Sequence, residues 1–301
     1  MRRPRTPLPL AAAVFAGLLL LTGCGSDTAP IGAAEEETEK CREAGPPLGE
    51  AKDGVRITGT KGLGASTPGC SSGVASVAFE VTSPKKEPYA YTVTFSVTDA
   101  AGQAYESTPV AVPSVPGGAT VRTSFTATPA QGPDSAGTAG VKIFKVRSVP
   151  VDELGSPAGP CPRSGVRVTA DQGDAAMGLR AVGVRLENCG TRPYALDGYP
   201  RVTPLDEQHR PLTGVRVLRG GAEISTGLGT TSPRRLSLAP GEAARSSLMW
   251  RNTHEGFGKA ANGPYVRLVA KPGASPVMLI PELDLGTTGK LGVAAWEKER
   301  R

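Results

Sequence analysis

An all-β fold, two tandem immunoglobulin-like β-sandwich domains after a signal peptide and a disordered tether, is what this 301-residue sequence predicts. Three observations carry the prediction. From Gly54 onward, short runs alternate apolar and polar residues at period two, as in Tyr91, Val93, Phe95 and Val97 against Thr92, Thr94, Ser96 and Thr98; that is the pattern of a half-buried strand. No amphipathic helix of convincing length follows Cys24. Gly- and Pro-bearing turns separate the runs, and the densest cluster, Pro150, Gly155, Pro157, Gly159 and Pro160, divides the chain in two.

The chain opens with a leader, residues 1–23. Arg2, Arg3 and Arg5 form a positive n-region, Leu8 to Leu21 an apolar h-region, and Leu21, Thr22, Gly23 and Cys24 follow it directly. A transmembrane helix over residues 6–22 is the alternative, but Pro7 and Pro9 interrupt the start of a run that needs roughly 18 to 20 continuous apolar residues. The pattern resembles the bacterial lipobox, which implies lipidation of Cys24 and cleavage before it. The expected partner is therefore the lipid bilayer, and the expected location is the outer face of the plasma membrane. Two acyl chains, at about 0.8 kcal/mol per buried CH₂, anchor stably where one does not.

Residues 24–40 carry Asp27, Glu35, Glu36, Glu37 and Glu39 with almost no large apolar residue, the composition of an unfolded tether. Residues 41–150 form the first expected sandwich. Its strands are read at Gly54–Thr58, Val77–Val81, Tyr91–Thr98, Val121–Ala127 and Val141–Val149. Residues 151–160 read as a linker. In residues 161–301 the expected strands contain Val166 and Val168; Val182, Val184 and Leu186; Val215 and Val217; Leu236 and Leu238; Leu248 and Trp250; Tyr265 to Ala270; and Leu291 to Trp296. The halves echo each other. Gly54-Val55-Arg56-Ile57-Thr58 matches Gly165-Val166-Arg167-Val168-Thr169, and Pro116-Gly117-Gly118-Ala119 matches Pro240-Gly241-Glu242-Ala243. Internal duplication and shared turn grammar both explain the echoes.

With the leader removed, the formal charge falls from +6 to +3, and no basic stripe appears, so nucleic acid is not an expected partner. Setting Cys24 aside leaves Cys41, Cys70, Cys161 and Cys189 in a compartment where disulfides persist. Four cysteines allow three connectivities. Pairing neighbours within each half, 41 with 70 and 161 with 189, is the preferred one. A zinc site is disfavoured because no close C-x₂-C pair with histidine partners exists.

The opening Cys161, then Glu187-Asn188-Cys189-Gly190 with Thr191 and Arg192, Leu196-Asp197-Gly198-Tyr199-Pro200, and Leu238-Ala239-Pro240-Gly241 form a series of phrases. Through them residues 161–296 resemble the domain-of-unknown-function family 4232 of actinobacterial-type secreted proteins and lipoproteins. The resemblance implies an extracytoplasmic β-sandwich with a cystine near its start and brings no established activity or catalytic residues.

Catalytic motifs are weak. Gly69-Cys70-Ser71-Ser72-Gly73 fits G-x-S-x-G, but a strand follows where the nucleophile elbow needs a helix, so Ser71 reads as a turn residue. Gly286-Thr287-Thr288-Gly289-Lys290 lacks the first glycine and the terminal Ser or Thr of a phosphate loop. No cofactor is expected. His209, His254, Met249 and Met278 are the ligands a soft metal would need; their scatter favours solvated loop histidines and methionines filling strand faces. Tyr194, Tyr199, Arg251, Asn252 and Tyr265 are the candidate recognition residues, because Tyr and Arg supply area and fixed donors at interfaces. Trp250 reads as core, its indole N–H needing a partner. The expected function is that of a lipid-anchored cell-surface protein, not an enzyme, whose globular part binds an envelope protein or cell-wall ligand or acts as a spacer. An extracytoplasmic copper chaperone or envelope enzyme accessory is the alternative.

Overall fold

Alternation becomes sheet through both halves of the chain, and the fold is all-β. The computed structural model describes residues 49–61, 75–99, 102–127, 140–155, 158–254 and 258–300. The leader, Cys24, the tether, Cys41, Cys70 and Ser71 lie outside them. Among the described residues no helix is long and apolar enough to cross a membrane.

The N-terminal half contains β1 (Ala51–Lys52), β2 (Val55–Lys61), β3 (Ala75–Thr82), β4 (Tyr89–Thr98), β5 (Ala104–Val115), β6 (Thr120–Ala127) and β7 (Gly140–Pro150). They make two sheets, ordered β1-β2-β3-β6 and β5-β4-β7. Their inner faces share one core, in which Ile57, Val77 and Phe79 of the first sheet meet Val93, Phe95 and Val97 of the second. The rings of Phe79 and Phe95 meet edge-on at 4.9 Å, and Phe125 stacks on Phe95 at 4.4 Å. This is a face-to-face sandwich, closed because each strand presents one apolar side. Besides the two-residue β1, the strand missing from the sequence reading is β5. Pro109 and Pro113 disguise it, and its edge position tolerates them because an edge strand has N–H groups that need no ladder partner.

The C-terminal half adds β8 (Val166–Ala170), β9 (Asp174–Ala176), β10 (Leu179–Asn188), β11 (Tyr194–Asp197), β12 (Arg201–Leu205), β13 (Arg216–Arg219) and β14 (Arg235–Leu238). It continues with β15 (Ala243–Arg251), β16 (Asn262–Gly263), β17 (Tyr265–Val269), β18 (Val277–Leu279), β19 (Leu283–Asp284), β20 (Lys290–Val293) and β21 (Glu297–Lys298). The main sheet runs β13-β20-β15-β10-β8, with β9 on β10 and β21 on β15; β12-β17-β18 forms a second sheet, and β11-β14 and β16-β19 are two-stranded. Leu186, Leu248, Trp250, Leu268 and Trp296 lie in its core.

The sequence places Trp296 in a strand beginning at Leu291. The structure ends that strand at Val293, and Trp296 is fully buried, its indole donating to the Ala270 carbonyl at 3.0 Å. A buried indole needs an acceptor, and leaving the ladder lets it reach one. Trp250 is core as expected, with Nε1 donating to Asp284 Oδ1 at 2.6 Å.

Cys161 and Cys189 are bonded, with Cα atoms 5.6 Å apart. The echoed phrases have a physical account. Gly54 and Gly165 both take positive φ, 81° and 74°, and each feeds a strand whose first valine points inward. The two Pro-Gly turns differ. In the first, the Ala119 N–H reaches Pro116 O; in the second, the Glu242 N–H reaches Ala239 O. Proline is thus the first residue of one turn and the second residue of the other, with Gly118 and Gly241 each in the third place at positive φ. Turn chemistry accounts for that likeness without equivalent positions.

Candidate functional site

The expected linker is not a bare connection. Val151–Glu153 form a single 3-10 turn, Leu154 bridges to Met278, and Glu153 Oε2 accepts from Arg267 Nε at 2.8 Å. These contacts begin a seam between the two halves. Val149 of β7 joins Leu205, Tyr265 and Met278 in one small buried cluster.

The seam is centred on Ser148. β7 is an edge strand of its sheet, so its outward peptide groups require partners. The Ser148 N–H donates to Tyr265 Oη at 2.8 Å, and the Ser148 carbonyl accepts from His209 Nε2 at 2.9 Å. A carbonyl only accepts, so Nε2 carries a proton. The His209 ring stacks on Tyr89 with centroids 5.6 Å apart and meets the edge of Tyr265 at 4.5 Å. Tyr89 Oη lies 3.5 Å from Nδ1. The sequence read His209 as a solvated loop histidine, and this is corrected: the turn exists, with Asp206 Oδ1 accepting from the Gln208 and Arg210 N–H groups, but it delivers the ring into the seam.

A charged clamp flanks the rings. Arg147 donates to both carboxylate oxygens of Glu282, at 2.8 and 2.7 Å, and Lys145 Nζ reaches Oε1 at 3.2 Å. Such a fork geometry is stronger than a single contact. Among the described residues only Asp53, Met177, His209 and Glu282 are non-glycines at positive φ, and two of the four are seam residues. Backbone held there against steric preference marks a locally over-determined arrangement.

Electrostatics follow the geometry. Burial, aided by the charge of Lys85, lowers the His209 pKa below its ordinary value. Burial opposes ionisation of Glu282, but Arg147 and Lys145 outweigh it and hold the carboxyl below the usual range. Burial and the neighbouring Glu87 push the Tyr89 phenol up to about 12.

A second constellation explains the family-like phrases. Asn188 is 1% exposed, and its Nδ2 donates at 2.8 Å to the carbonyls of both Arg192 and Leu238. Its Oδ1 accepts from the Gly190 N–H at 3.1 Å, and its backbone pairs with Gly241 and Glu242. One amide thereby ties Glu187–Gly190 to Leu238–Gly241 beside the cystine. The Gly198 carbonyl, in the Gly-Tyr-Pro phrase, accepts from the Trp296 N–H at 2.8 Å.

The five candidate recognition residues do not converge. Tyr265 is 2% exposed and engages the N-terminal half of its own chain. Arg251 Nε donates to the Ile224 carbonyl, and Asn252 Nδ2 to Asp284 Oδ2, so both support the fold. Tyr199 has the Arg219 guanidinium 6.0 Å from its ring. Tyr194 lines a groove of about 240 Å³ with Leu154, Val166 and Val277, and the Lys271 ammonium sits 3.7 Å from its ring centre.

The metal candidates are likewise dispersed. Met278 is in the seam cluster, Met249 packs with Ile224 and Ala294, and His254 is exposed. Among the described residues no group of three or more His, Cys, Asp or Glu side chains is placed to hold a metal ion.

These features define an all-β protein whose C-terminal half carries the signature phrases on structural positions. Residues 161–297 match the model of the family described as a domain of unknown function (DUF4232), over the stretch in which the resemblance was read. No curated protein matches the chain. Among solved structures, the crystal structure of red sea bream transglutaminase is aligned at 10% identity and a TM-score of 0.18, over 89% of this chain and 34% of that one. The chain spans about a third of that structure, and the likeness carries no argument.

Proposed function

We propose that this chain is a lipid-anchored protein of the outer face of the plasma membrane whose globular part is a non-catalytic binding or spacer module. The anchor rests on Cys24, placed after a positively charged and then apolar leader. The observation that carries the module reading is the seam. Both peptide groups of Ser148 and both oxygens of Glu282 are bound across it, so a surface on either half is presented in fixed relation to the other. A spacer needs that stiffness, and a binding module gains from it because less order is lost on association. The engagement of Arg251, Asn252 and Tyr265 within the fold fits a scaffold role for them.

Metabolic labelling with an alkyne fatty acid, followed by membrane fractionation, tests the anchor. The wild-type chain takes up label and sediments with membranes, and Cys24→Ser is unlabelled and soluble. A labelled or membrane-bound Cys24→Ser chain would overturn it.

A further inference from the structure

Seven large apolar side chains stand exposed among the described residues, and two of them are aromatic: Tyr105 on β5 at 38% and Phe144 on β7 at 58%. They belong to strands on opposite sides of β4, yet both border one shallow trough of about 300 Å³, with Ser96, Ala104, Glu106 and Ser107 completing its lining. That volume is at the small end of ligand sites, enough for one ring-sized group.

Both aromatics are placed by register shifts. β4 pairs with β5 through Val97↔Glu106 and then Thr98↔Ala104, leaving Tyr105 as the extra residue. It pairs with β7 through Thr94↔Lys145 and then Phe95↔Ile143, leaving Phe144 as the extra residue. A β-bulge re-aims the side chain of its unpaired residue and recurs at binding sites. Two bulges, one on each neighbour of the same central strand, turn the only two large exposed aromatics described toward one trough. Ser96 and Ser107 lie directly opposite each other in the ladder between them.

We infer that this trough is a glycan-binding subsite that takes a pyranose ring of an envelope polysaccharide. A sugar ring has an apolar C–H face and a rim of hydroxyls. The electron-rich rings of Tyr105 and of Phe144, the latter with the Lys145 ammonium 6.0 Å from its centre, suit polarised C–H groups, and the two serine hydroxyls can donate and accept toward the rim. An acyl chain would leave the two hydroxyls unmatched. The inference rests on the reading of the protein as an envelope-facing binding module and names the ligand class for it.

The test uses the full chain carrying Cys24→Ser, with purified peptidoglycan sacculi in co-sedimentation and chitohexaose in saturation-transfer NMR. Binding is expected with either glycan, little changed by added salt because stacking is not an ionic contact. Phe144→Ala should weaken it about tenfold or more, a loss of roughly 1.4 kcal/mol, with the melting temperature unchanged, and Phe144→Trp should retain it. Equal binding by wild type and Phe144→Ala would remove the site from this trough, and no binding of either glycan by wild type would overturn the inference. Neither result bears on acylation of Cys24, so a failure here is distinguishable from a failure of the anchor.

Discussion

His209 shows how a single side chain acquires a role that its neighbours in sequence do not announce. Asp206 and the polar residues beside it fix a turn, which was legible. The ring's acceptor, Ser148, is 61 residues away, and Tyr89 is 120 away, so neither contact leaves a local signal. Asn188 is the converse: its surroundings were legible as a recurrent phrase, but the two carbonyls it satisfies were not. The His209 environment has a pH consequence. A histidine with a depressed folded pKa binds fewer protons when folded than when unfolded at pH values below about 6.5, its unfolded value. Its stabilising contribution is therefore complete above that value and declines as the pH falls toward the folded pKa. The charged groups around it enter with both signs. Lys85 and Arg267 oppose protonation and Glu153 favours it. Urea unfolding between pH 7.5 and 5 should show falling stability in wild type and a flatter profile in His209→Gln. Glu282, also depressed, loses its contribution only nearer the ordinary carboxylate range, so the two windows separate. Parallel profiles for the two proteins would exclude His209 as the source.

Strands with clean alternation, β3, β4, β7 and β10, were legible because each buries one face, whereas β15 was legible only through Leu248 and Trp250, since it also buries Met249 on its other face. β5 was not, since prolines and polar residues on an edge strand break the pattern without breaking the strand. The two-to-five-residue strands β9, β11, β12, β16, β18 and β19 are too short for period two to be recognisable. The edge strand β7 is the element with most at stake. An unguarded edge exposes a row of donors and acceptors to other chains, and here Tyr265 and His209 cap it at Ser148. Tyr265→Phe removes the acceptor for the Ser148 N–H and preserves ring packing. Hydrogen exchange followed by NMR should show the Ser148 amide accelerated in that variant, with an overall destabilisation of about 1 to 3 kcal/mol for a buried donor left unpaired. An unchanged Ser148 amide would mean that the edge is guarded by something other than the phenol.

At the scale of the whole molecule, the Gly- and Pro-rich cluster suggested a division of the chain, but the contacts across it were not legible, because the Arg147–Glu282 and Lys145–Glu282 pairs span 135 and 137 residues. Halves joined only by a linker would unfold independently, each with its own midpoint. The seam contains a shared apolar cluster, two bonds to one edge-strand residue and a bidentate ion pair, and these couple the two cores. Calorimetry of wild type should accordingly give one cooperative transition, with calorimetric and van't Hoff enthalpies in agreement. Arg147→Glu sets a carboxylate against Glu282 and leaves both cores intact, since neither core includes residue 147. That variant should resolve into two transitions. Reversal at the partner, Glu282→Arg in the Arg147→Glu background, should bring the two midpoints back toward each other, because the pair is regenerated with its charges exchanged, but only in part, since Lys145 then faces an arginine and Glu207 a glutamate. Two transitions in wild type would show that the seam does not couple the halves, and the stiffness invoked for the spacer or binding role would lose its basis.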